Sequence, residues 1–554
     1  MPAWAQIRLT RLLRFQLFDQ RSGRHGPTGD IYMRFLTSIA LAAACLAASP
    51  GFAGVALEGS GGGVGKMTKT TAERMAVDRG GIGHVQLIPY YSANGGNQTL
   101  LAITNEDAIN GKVIKVRFRS AANADTVYDF MIFLGPFDVW SANIAQGPDG
   151  RARLLTSDNS CSIPKNLTPS FKDGELPSVD IQFSGEMQRA WTREGFIEII
   201  NVADAPPTSN STANPGGENP LYRAMKTVNG AATCSQPLLD SNVDVVDEAD
   251  AVNKGMDTPS GGLSAWATII NTKDALVSWP VESTALVAVG PDGRPGRGRL
   301  VSSPQTADVV DGAKVSSLTS DPVLRLGTLP ARQYHFPDLS TPYLSSARLS
   351  RPFDQAVETS TALAVTRFSN QYSTLLSIRS GTDLITTQPM QRYFVGVSYA
   401  GVSDVDRVLI PEANGFYRAT DIVMVGKRAC SKLLTVVSGQ PRSFAFDRSG
   451  RGLDAGGGAV ITGPGPVTYH LCGGSNNYAV NSGDGWSVLK SAREFLTYPW
   501  TTYQEGWIRF STPGAGVGLP LIGASFVSAV GPEVGGKSTN FGWSLKHNLV
   551  VQRP

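Results

Sequence analysis

The spacing of histidine and serine sets the range of catalysis open to this chain. After residue 53 no histidine lies four positions from another and no H-E-x-x-H segment occurs, which excludes a zinc-protease motif. These histidines are His84, His335, His470 and His547. No G-x-S-x-G segment forms a nucleophile elbow before a helix, and the glycine-rich stretch 59–65 lacks the G-K-[ST] ending of a phosphate loop. We therefore predict no catalytic residues, no enzyme activity and no cofactor other than a candidate calcium ion.

An acidic run, residues 240–250, has the composition of a calcium ligand set. Calcium takes six to eight oxygen ligands, and the D-x-N-x-D spacing at the start of this run also opens a calcium-binding loop. Val245 at the sixth position and Ala251 at the twelfth replace the glycine and glutamate of an EF-hand, which excludes that motif. The candidate ligands of an irregular site are Asp240, Asn242, Asp244 and Asp247. The alternative is a solvated loop after Cys234.

Aromatic residues are concentrated between positions 486 and 507. They are Trp486, Tyr498, Trp500, Tyr503 and Trp507. Sugar-binding modules present such rings because the C–H groups of pyranoses pack on aromatic faces, whereas most large aromatic residues fill cores. Pro499 next to Trp500 indicates a loop, which is compatible with both roles. Trp486, Trp500 and Trp507 are therefore candidate glycan contacts.

The cysteine count favours disulfides. An even number of cysteines follows residue 53, and in an exported chain this pattern favours bridges over free thiols. They are Cys161, Cys234, Cys430 and Cys472. Three pairings are open, and we favour Cys161–Cys234 with Cys430–Cys472 because each pair falls within one half of the chain. The alternative is free buried thiols, and no pair has the short C-x₂₋₄-C spacing of a zinc site.

Residues 33–53 have the composition of a secretory signal peptide. Arg34 supplies a positive charge, an apolar run extends from Phe35 to Ala48, and small residues precede a cleavage site after Ala53. The apolar run is too short to span a bilayer as a helix. We therefore expect export, to the extracellular space or cell surface of a bacterium rather than to the periplasm, with a mature chain that starts at Gly54.

Residues 1–32 precede the predicted signal peptide, and Cys45 lies within it. Residues 1–32 contain five arginines, and we interpret this segment as an upstream extension from a mis-assigned start codon, the alternative being a long basic n-region. Cys45 follows a sequence similar to a lipoprotein cleavage box, but Leu41 is one position too far from it. Cleavage after Ala53 is therefore favoured over lipidation of Cys45.

Composition excludes two partner classes. The whole chain has 49 Lys and Arg against 46 Asp and Glu, and the excess of basic residues lies in the leader before Gly54. Nucleic-acid binding needs a basic stripe, so we expect no nucleic-acid partner. Charged residues make up 17% of the chain, below the usual ~25%. No later apolar run is long enough for a transmembrane helix.

Strand patterns begin after a glycine-rich segment, 54–80, that we interpret as a flexible lead. In 114–119 the apolar Ile114, Val116 and Phe118 alternate with charged residues, a pattern typical of a strand with one buried and one wet face. The other predicted strands of this half are 85–91, 99–104, 127–134, 138–144, 196–202, 266–270 and 285–289. Residues 205–220 are too polar and proline-rich for a packed element, and 221–228 is predicted to form a short helix.

The pattern restarts in the second half. Strands are predicted at 361–368, 384–387, 393–397, 421–425, 433–437, 507–510 and 519–526, with one short helix at 487–495. Strands at this spacing favour an all-β chain with two or more β-sandwich domains, immunoglobulin-like or jelly-roll, with long loops and few short helices. We expect an N-terminal β-sandwich region at 81–320 and a C-terminal one at 321–554.

Several segments resemble a family of exported, largely uncharacterised proteobacterial cell-surface proteins described as surface-layer-like. The resembling segments are His84-Val-Gln-Leu-Ile-Pro-Tyr-Tyr-Ser92, Gly96–Asn105, Lys115-Val-Arg-Phe-Arg119, Asp129-Phe130, Asp138-Val-Trp140, Glu194-Gly-Phe-Ile-Glu198, Gly381-Thr-Asp383, Arg392-Tyr-Phe-Val395, Phe446-Asp-Arg448, Leu471-Cys472, Asn540-Phe-Gly542 and Lys546-His547. They extend over nearly the whole mature chain. The resemblance implies a secreted surface protein and brings no reaction mechanism.

These observations favour a structural function over chemistry. We expect an exported cell-surface or envelope protein that packs with itself or with other envelope components, as in a self-assembling surface layer. Lattice formation would use exposed loops and strand edges. The alternative is a carbohydrate-binding or adhesive module that depends on the aromatic residues of 486–507, and a secreted hydrolase comes third.

Overall fold

The computed structural model describes residues 55–122, 124, 126–165, 167, 186–241, 245–273, 276–302, 324–326, 329–331, 337–349, 352–398, 406–409, 415–425, 428–434, 445–450, 468–481, 487–492, 494–499, 504–513, 517–535 and 537–551. The predicted signal peptide, the upstream extension and Cys45 lie outside these residues. Residues 55–302 are called the N-terminal part below, and residues 324–551 the C-terminal part.

Antiparallel sheets build the N-terminal part. Its strands are β1 Val55–Leu57, β2 Arg74–Asp78, β3 Val85–Ser92, β4 Asn97–Asn105, β5 Gly111–Ser120, β6 Thr126–Leu134, β7 Val139–Gln146, β8 Ala152–Leu155, β9 Cys161–Ile163, β10 Glu194–Ala205, β11 Leu263–Asn271, β12 Val277–Glu282, β13 Thr284–Val289 and β14 Leu300–Ser302. One sheet has seven strands in the order β2-β13-β3-β10-β5-β6-β9, and another has five in the order β12-β11-β4-β7-β8. β1 pairs with β14.

Alternating apolar residues and a glycine turn explain these sheets locally. In β11, Ala265, Ala267 and Ile269 are buried while Trp266 between them is exposed, as expected for a strand with one face on a core. The turn before β4 has Gly95 at a φ of 55°, a conformation that favours glycine. The apolar faces of the two large sheets share one core, whose members include Phe118 and Phe130 with Trp140, Leu101 and Trp279.

The C-terminal part is also mostly β. Its strands are β15 Leu324–Leu326, β16 Leu329–Ala331, β17 Ala364–Val365, β18 Arg367–Ser373, β19 Gly381–Thr387, β20 Val395–Ser398, β21 Asp406–Leu409, β22 Ile422–Val425, β23 Arg428–Leu434, β24 Ala445–Asp447, β25 Thr468–Leu471, β26 Ser475–Asn481, β27 Glu494–Pro499, β28 Glu505–Ser511, β29 Leu519–Pro520, β30 Ile522–Val534, β31 Lys537–Lys546 and β32 Asn548–Val550. The central path of its seven-stranded sheet is β22-β23-β28-β18-β32, with β24 on β28 and β25 on β23. A five-stranded sheet runs β27-β26-β19-β30-β31.

The helices are short, as predicted. They are α1 Glu186–Thr192, α2 Pro220–Met225, α3 Gln236–Ser241, α4 Glu248–Asn253 and α5 Pro352–Leu363, with 3₁₀ turns at Ala347–Leu349, Leu376–Ile378, Gln391–Tyr393 and Ala419–Asp421. The structure therefore confirms a mostly β chain of several antiparallel sheets with few short helices. The helix predicted at 221–228 is present as α2, which begins at Pro220 and is capped by the Asn219 side chain on Leu221 N.

Two other local predictions are wrong. Residues 487–492 form a turn and 494–499 the strand β27, where a helix was predicted. The backbone N–H groups of Val488 and Leu489 donate to the buried Asp383 carboxylate at 3.1 and 2.8 Å, in place of helical hydrogen bonds. The strand predicted at 361–368 begins only at Ala364, because α5 continues to Leu363.

The alternating strand at 114–119 is present as β5, but its expected wet face is wrong. Every residue of β5 is buried, including Arg117 and Arg119. Arg119 Nη2 lies 2.9 Å from Glu198 Oε2 on the neighbouring strand β10. Arg117 Nη1 lies 3.9 Å from Glu198 Oε2 and from Asp338 Oδ2, a residue of the C-terminal part. Opposite charges from distant segments therefore cover the face that the pattern assigned to water.

The expected flexible lead at 54–80 contributes the strands β1 and β2 instead. The glycine-rich loop between them folds over the first residue of α4, whose carboxylate accepts from Ser60 N at 2.8 Å and from Met67 N at 3.0 Å. Lys66 Nζ lies 3.1 Å from the same Glu248 carboxylate. Gly65 N also donates to Asn210 O at 2.7 Å. A residue nearly 190 positions away therefore fixes this loop.

Both favoured disulfides are confirmed. Cys161 is bonded to Cys234 and Cys430 to Cys472, with sequence separations of 73 and 42. The first bond joins β9 to the segment after α2, and the second joins β23 to the residue after β25. Each bridge lies within one part of the molecule, as the sequence indicated.

The turn at 487–492 docks onto the N-terminal part. Leu489 is fully buried in the core that the two large N-terminal sheets share, and its carbonyl accepts from Asn97 Nδ2 at 2.6 Å. Glu194 accepts from Ser491 Oγ at 2.8 Å and from Ala492 N at 3.1 Å. No described sheet mixes strands of the two parts, so side chains and turns join them.

Candidate functional site

A groove of about 570 Å³ opens in the C-terminal part, whereas two other cavities hold only about 20 and 10 Å³. Its volume falls in the range of small-molecule sites, roughly 300–1,000 Å³. Its lining residues are Ser369, Asn370, Gln371, Tyr372, Ser373, Asp447, Arg448, Glu505, Gly506, Trp507, Val527, Trp543 and Asn548. We take this groove as the candidate functional site.

Strand register places the polar and aromatic residues of the groove next to each other. Trp507 of β28 pairs with Gln371 of β18 on one side and with Phe446 of β24 on the other. The Phe446 and Trp507 rings stack with centroids 4.1 Å apart and an interplanar angle of 14°. Arg509 Cζ lies 5.8 Å from the centroid of the Trp507 ring, within the range of a cation–π contact. These contacts fix the plane of the Trp507 ring at the groove.

Trp543 reaches the groove from a different sheet. It lies on β31, pairs with Val527 of β30 and is 37% exposed. Trp507 is half-buried in the seven-stranded sheet, so the groove combines partly exposed indole rings from two sheets. The sequence prediction missed Trp543, although the alternation of Phe541, Trp543 and Leu545 along the final long strand was a signal for it.

The charges at the groove are two carboxylates and one arginine. Arg448 forms an ion pair with Glu505, and its own side chain is 76% exposed against 19% for Glu505. Asp447 Oδ1 accepts from Ser449 N at 2.8 Å, which orders the turn after β24. The remaining polar lining consists of amides and hydroxyls, which can both donate and accept hydrogen bonds.

A buried histidine holds one amide of the groove. Asn370 Nδ2 lies 2.9 Å from His547 Nδ1 and donates to Leu545 O at 2.6 Å. His547 Nε2 lies 2.9 Å from Ile385 O, and a carbonyl only accepts, so Nε2 carries the proton. Burial lowers the pKa of His547 to about 4, which keeps the ring neutral near pH 7. His547 is therefore a support for Asn370.

The other predicted glycan contacts are not placed at the groove. Trp486 and Trp500 lie outside the described residues, as does Tyr503. For Tyr498 the structure describes only the backbone, in β27. Trp507 is therefore the one candidate glycan contact that the structure places, and it lines the groove.

The candidate calcium ligands are partly described. Asn242 and Asp244 lie outside the described residues. Asp240 accepts from Gln236 Nε2 at 2.8 Å, and Asp247 caps α4 by accepting from Asp250 N at 2.8 Å. In the part of the chain that the structure describes, no three His, Cys, Asp or Glu residues are grouped as a metal site requires.

Of the remaining histidines, the structure describes His84 in the N-terminal part and His470 in the C-terminal part. His335 lies outside the described residues. His84 is fully buried, with its ring edge-on to Tyr343 at 5.5 Å, and burial together with the charge of Lys112 lowers its pKa to about 3. His470 lies on β25 and pairs with Lys432 of β23; partial burial lowers its pKa.

A buried cluster that the sequence prediction missed surrounds Lys112. Its Nζ lies 2.8 Å from Asp107 Oδ2 and 2.8 Å from Asp204 Oδ1, and it donates to Ser260 Oγ at 2.8 Å. Ser260 in turn donates to Asp204 Oδ2 at 2.5 Å. Serine and lysine this close can form a catalytic pair when the lysine is neutral. Here Asp107 and Asp204 both lie 2.8 Å from Lys112 Nζ, so the cluster joins β5 to β10 and to the loops that hold Asp107 and Ser260.

Within the described ranges, no helix combines the length and the apolar composition needed to cross a membrane. Comparisons with known proteins found no family model, no curated protein and no solved structure that matches the chain.

Proposed function

We propose that this is an exported protein of the bacterial cell envelope that binds neutral carbohydrate chains in the groove. The observation that carries the proposal is the presence of two partly exposed tryptophans, Trp507 and Trp543, from different sheets in one polar groove. Their indole rings offer apolar faces, and the groove between the strands offers amides and hydroxyls. A pyranose has the same two kinds of surface.

The charges of the groove support a neutral ligand. Asp447 and Glu505 outnumber Arg448, and like charges repel an anionic sugar. Gln371 and Asn548 supply amide groups that match sugar hydroxyls. The ligand class that fits is therefore a neutral glycan.

The proposal assigns binding and no hydrolysis to the groove. A glycosidase needs one carboxyl group that donates a proton and a second that acts as nucleophile or base. Glu505 is engaged by the guanidinium of Arg448, and Asp447 accepts the backbone N–H of Ser449. Glu505 of β28 therefore has a partner from the turn after β24, and Asp447 has one within that turn.

Binding to defined oligosaccharides tests the proposal. We would titrate the exported chain with chitohexaose, cellohexaose and maltohexaose by isothermal titration calorimetry. We expect at least one of them to bind the wild type. We expect Trp507→Ala and Trp543→Ala each to weaken that binding about tenfold or more, because each removes a stacking face.

Trp266→Ala is the matched control for these variants. Trp266 is 55% exposed on β11, outside the residues that line the groove, so its removal should leave affinity unchanged. Thermal melting of each variant separates loss of the ring from loss of the fold. Absence of binding by the wild type, or equal affinity of all three variants, would overturn the proposal.

The proposal also covers the cellular compartment of the protein and the way in which its large sheets pack. Two disulfides are typical of a protein in an oxidising compartment outside the cytoplasm, and the signal-peptide pattern of 33–53 agrees. We infer that the large sheets of each part pack as β-sandwiches. The core that the two large N-terminal sheets share supports this inference. The surface-layer-like family remains the one that the segments quoted above resemble.

A structural surface layer is the second candidate function. β32 lies at the end of its sheet and pairs only with β18 among the described strands. Leu549, Val550 and Val551 are 37%, 40% and 51% exposed, and no charged residue or proline interrupts 548–551. An apolar edge without charge or proline can add a further strand, although the three-residue length of β32 limits the number of backbone hydrogen bonds that such pairing would form. Self-assembly through this edge is the mode that the structure favours.

Negative-stain electron microscopy tests this candidate. Sheets or filaments formed by the wild type and lost in Val550→Lys would support assembly through β32. Dispersed particles with and without calcium would exclude it and would leave glycan binding as the function to pursue. A calcium requirement for assembly would direct attention to residues 240–250.

A further inference from the structure

A tryptophan of the N-terminal part supports one side of the groove. Trp279 of β12 is 1% exposed, and its Nε1 donates to Val527 O at 2.8 Å across 248 positions of sequence. Val527 lines the groove and pairs with Trp543 in the neighbouring strand. A buried indole N–H without a partner would destabilise the fold. This hydrogen bond therefore helps to hold the two parts together.

The strand that carries Trp543 also rests on β12. A Cβ on Gly542 would lie 2.5 Å from Ser278 O and 2.6 Å from Val277 Cγ2, so only glycine permits this approach. Ser544 Oγ donates to Pro280 O.

The contact continues one step along the strand, where Lys546 Nζ donates to Ser283 O at 2.9 Å. Three alternate residues of β31, Gly542, Ser544 and Lys546, thus contact the N-terminal part. Trp543, which lies between two of them, lines the groove.

We propose that Trp279 is a positioning residue for the groove: it acts through Val527 and β31 to hold the Trp543 ring where a ligand would stack. The inference rests on the proposed function, since it concerns the ligand of that site. A ring held in place before binding does not have to be ordered by the ligand, and this raises affinity. The groove would then be a site that both parts of the molecule complete.

Trp279→Phe is the direct test, because it keeps an aromatic ring in the core and removes only the N–H donor and part of the ring. We would measure affinity for whichever of the three hexasaccharides the wild type binds, together with hydrogen exchange of the backbone amides of 537–546. We expect affinity to fall about two- to tenfold, the effect of one lost hydrogen bond, and exchange to rise in β31.

Two further variants keep the test interpretable. Trp266→Phe removes an indole N–H from the same part of the chain at an exposed position and should change neither readout. Ser544→Ala with Lys546→Met removes two surface hydrogen bonds between β31 and β12 without a change in the core. This double variant should also lower affinity. It therefore tests the inference even if Trp279→Phe fails to fold.

Ligand-induced tryptophan fluorescence supplies a readout that a merely structural role would not move. The part of the ligand signal that Trp543→Phe abolishes is the contribution of Trp543, and it should shrink in Trp279→Phe at unchanged far-ultraviolet circular dichroism. Wild-type affinity and signal in both interface variants would overturn the inference while the proposed function stands. If the wild type binds no hexasaccharide, the proposed function fails, and unchanged exchange of 537–546 in Trp279→Phe would separately refute the support of β31.

Discussion

Two arginine–glutamate pairs of this protein have the same chemistry and opposite surroundings. Arg119 and Glu198 join β5 to β10 with both side chains fully buried. Arg448 and Glu505 meet at the groove, where the arginine is 76% exposed. Burial disfavours the charge on Arg119, but Glu198, Tyr393 and Asp338 together outweigh that effect and raise the pKa of Arg119 above its ordinary value. The first pair is part of the interior, and the second belongs to a surface that can meet a ligand.

The difference comes from residues far away in sequence. Asp338 and Tyr393 of the C-terminal part cover the charged face of β5, and the Tyr393 hydroxyl lies 3.3 Å from Arg119 Nη2. The face that includes Trp507 and Arg448 borders a groove of about 570 Å³ instead. A charged strand face is therefore structural or functional according to what covers it.

Removal of one partner of the buried pair should have the largest effect. We expect Arg119→Ala to lower the free energy of unfolding by about 3–5 kcal/mol, because it removes the closest partner of the buried Glu198 carboxylate and leaves only Arg117 at 3.9 Å. Urea denaturation measures the change. The double variant Arg119→Met with Glu198→Leu should recover much of it, because no lone charge remains.

Arg294→Ala is the control for the buried pair. Arg294 is 85% exposed and lies 3.9 Å from Asp292 in a turn, so its removal should change the free energy of unfolding by less than about 0.5 kcal/mol. A loss of only ~1 kcal/mol in Arg119→Ala would mean that water reaches the network, and the contrast with the groove would disappear.

The disulfides offer a second comparison between the two parts. In the chain-entropy model, bridges that close 73 and 42 residues each stabilise by about 4 kcal/mol. We expect the Cys161→Ser/Cys234→Ser and Cys430→Ser/Cys472→Ser variants to lose similar amounts, measured by urea denaturation. A midpoint that does not change when wild-type protein is reduced would refute both expectations.

Asp383 makes the contact between the two parts sensitive to pH, because it holds the turn at 487–492 that packs on the N-terminal part. Burial raises its pKa to about 6 from an ordinary value of 3.8. The folded state therefore holds this proton where the unfolded state releases it, and the contribution to stability decreases as pH rises from about 4 to 6. The expected decrease is about 3 kcal/mol at most.

Asp383→Asn tests this contribution, because an amide does not titrate. Its free energy of unfolding should lack the part of the pH dependence between pH 4 and 6 that Asp383 causes. Asp292→Asn, at a position 64% exposed, should keep the wild-type profile. Parallel profiles for wild type and Asp383→Asn would show that solvent reaches this carboxylate in the folded protein.

Local sequence patterns predicted the strands and disulfides of this fold better than they predicted which residues from elsewhere in the chain contact them. The alternation at 114–119 predicted β5, and even cysteines within each half predicted both bridges. The helix expected at 487–495 is absent because Asp383 takes the backbone N–H groups of this segment.

Among the residues that line the groove, the sequence predicted only Trp507 as a candidate ligand contact. Trp543 also lines the groove, and its strand β31 contacts β12 through residues more than 260 positions apart. No short window of sequence contains both strands, so the alternation of Phe541, Trp543 and Leu545 could indicate a strand with an exposed ring but not that this ring lies at the same groove as Trp507. The unpredicted features depend on contacts between residues that are far apart in sequence, within one part as for Asp383 and Leu489 or between the two parts as for Ser544 and Pro280.

Removal of the exposed Arg448–Glu505 ion pair should have the smallest effect on stability. We expect Arg448→Ala to change the free energy of unfolding by less than about 1 kcal/mol, since water and salt screen an exposed ion pair. Affinity for a neutral hexasaccharide should stay within about twofold, because a neutral ligand gains little from one exposed charge. A destabilisation as large as that of Arg119→Ala would mean that this face is closed in the folded protein, and the groove would then be interior packing instead of a binding surface.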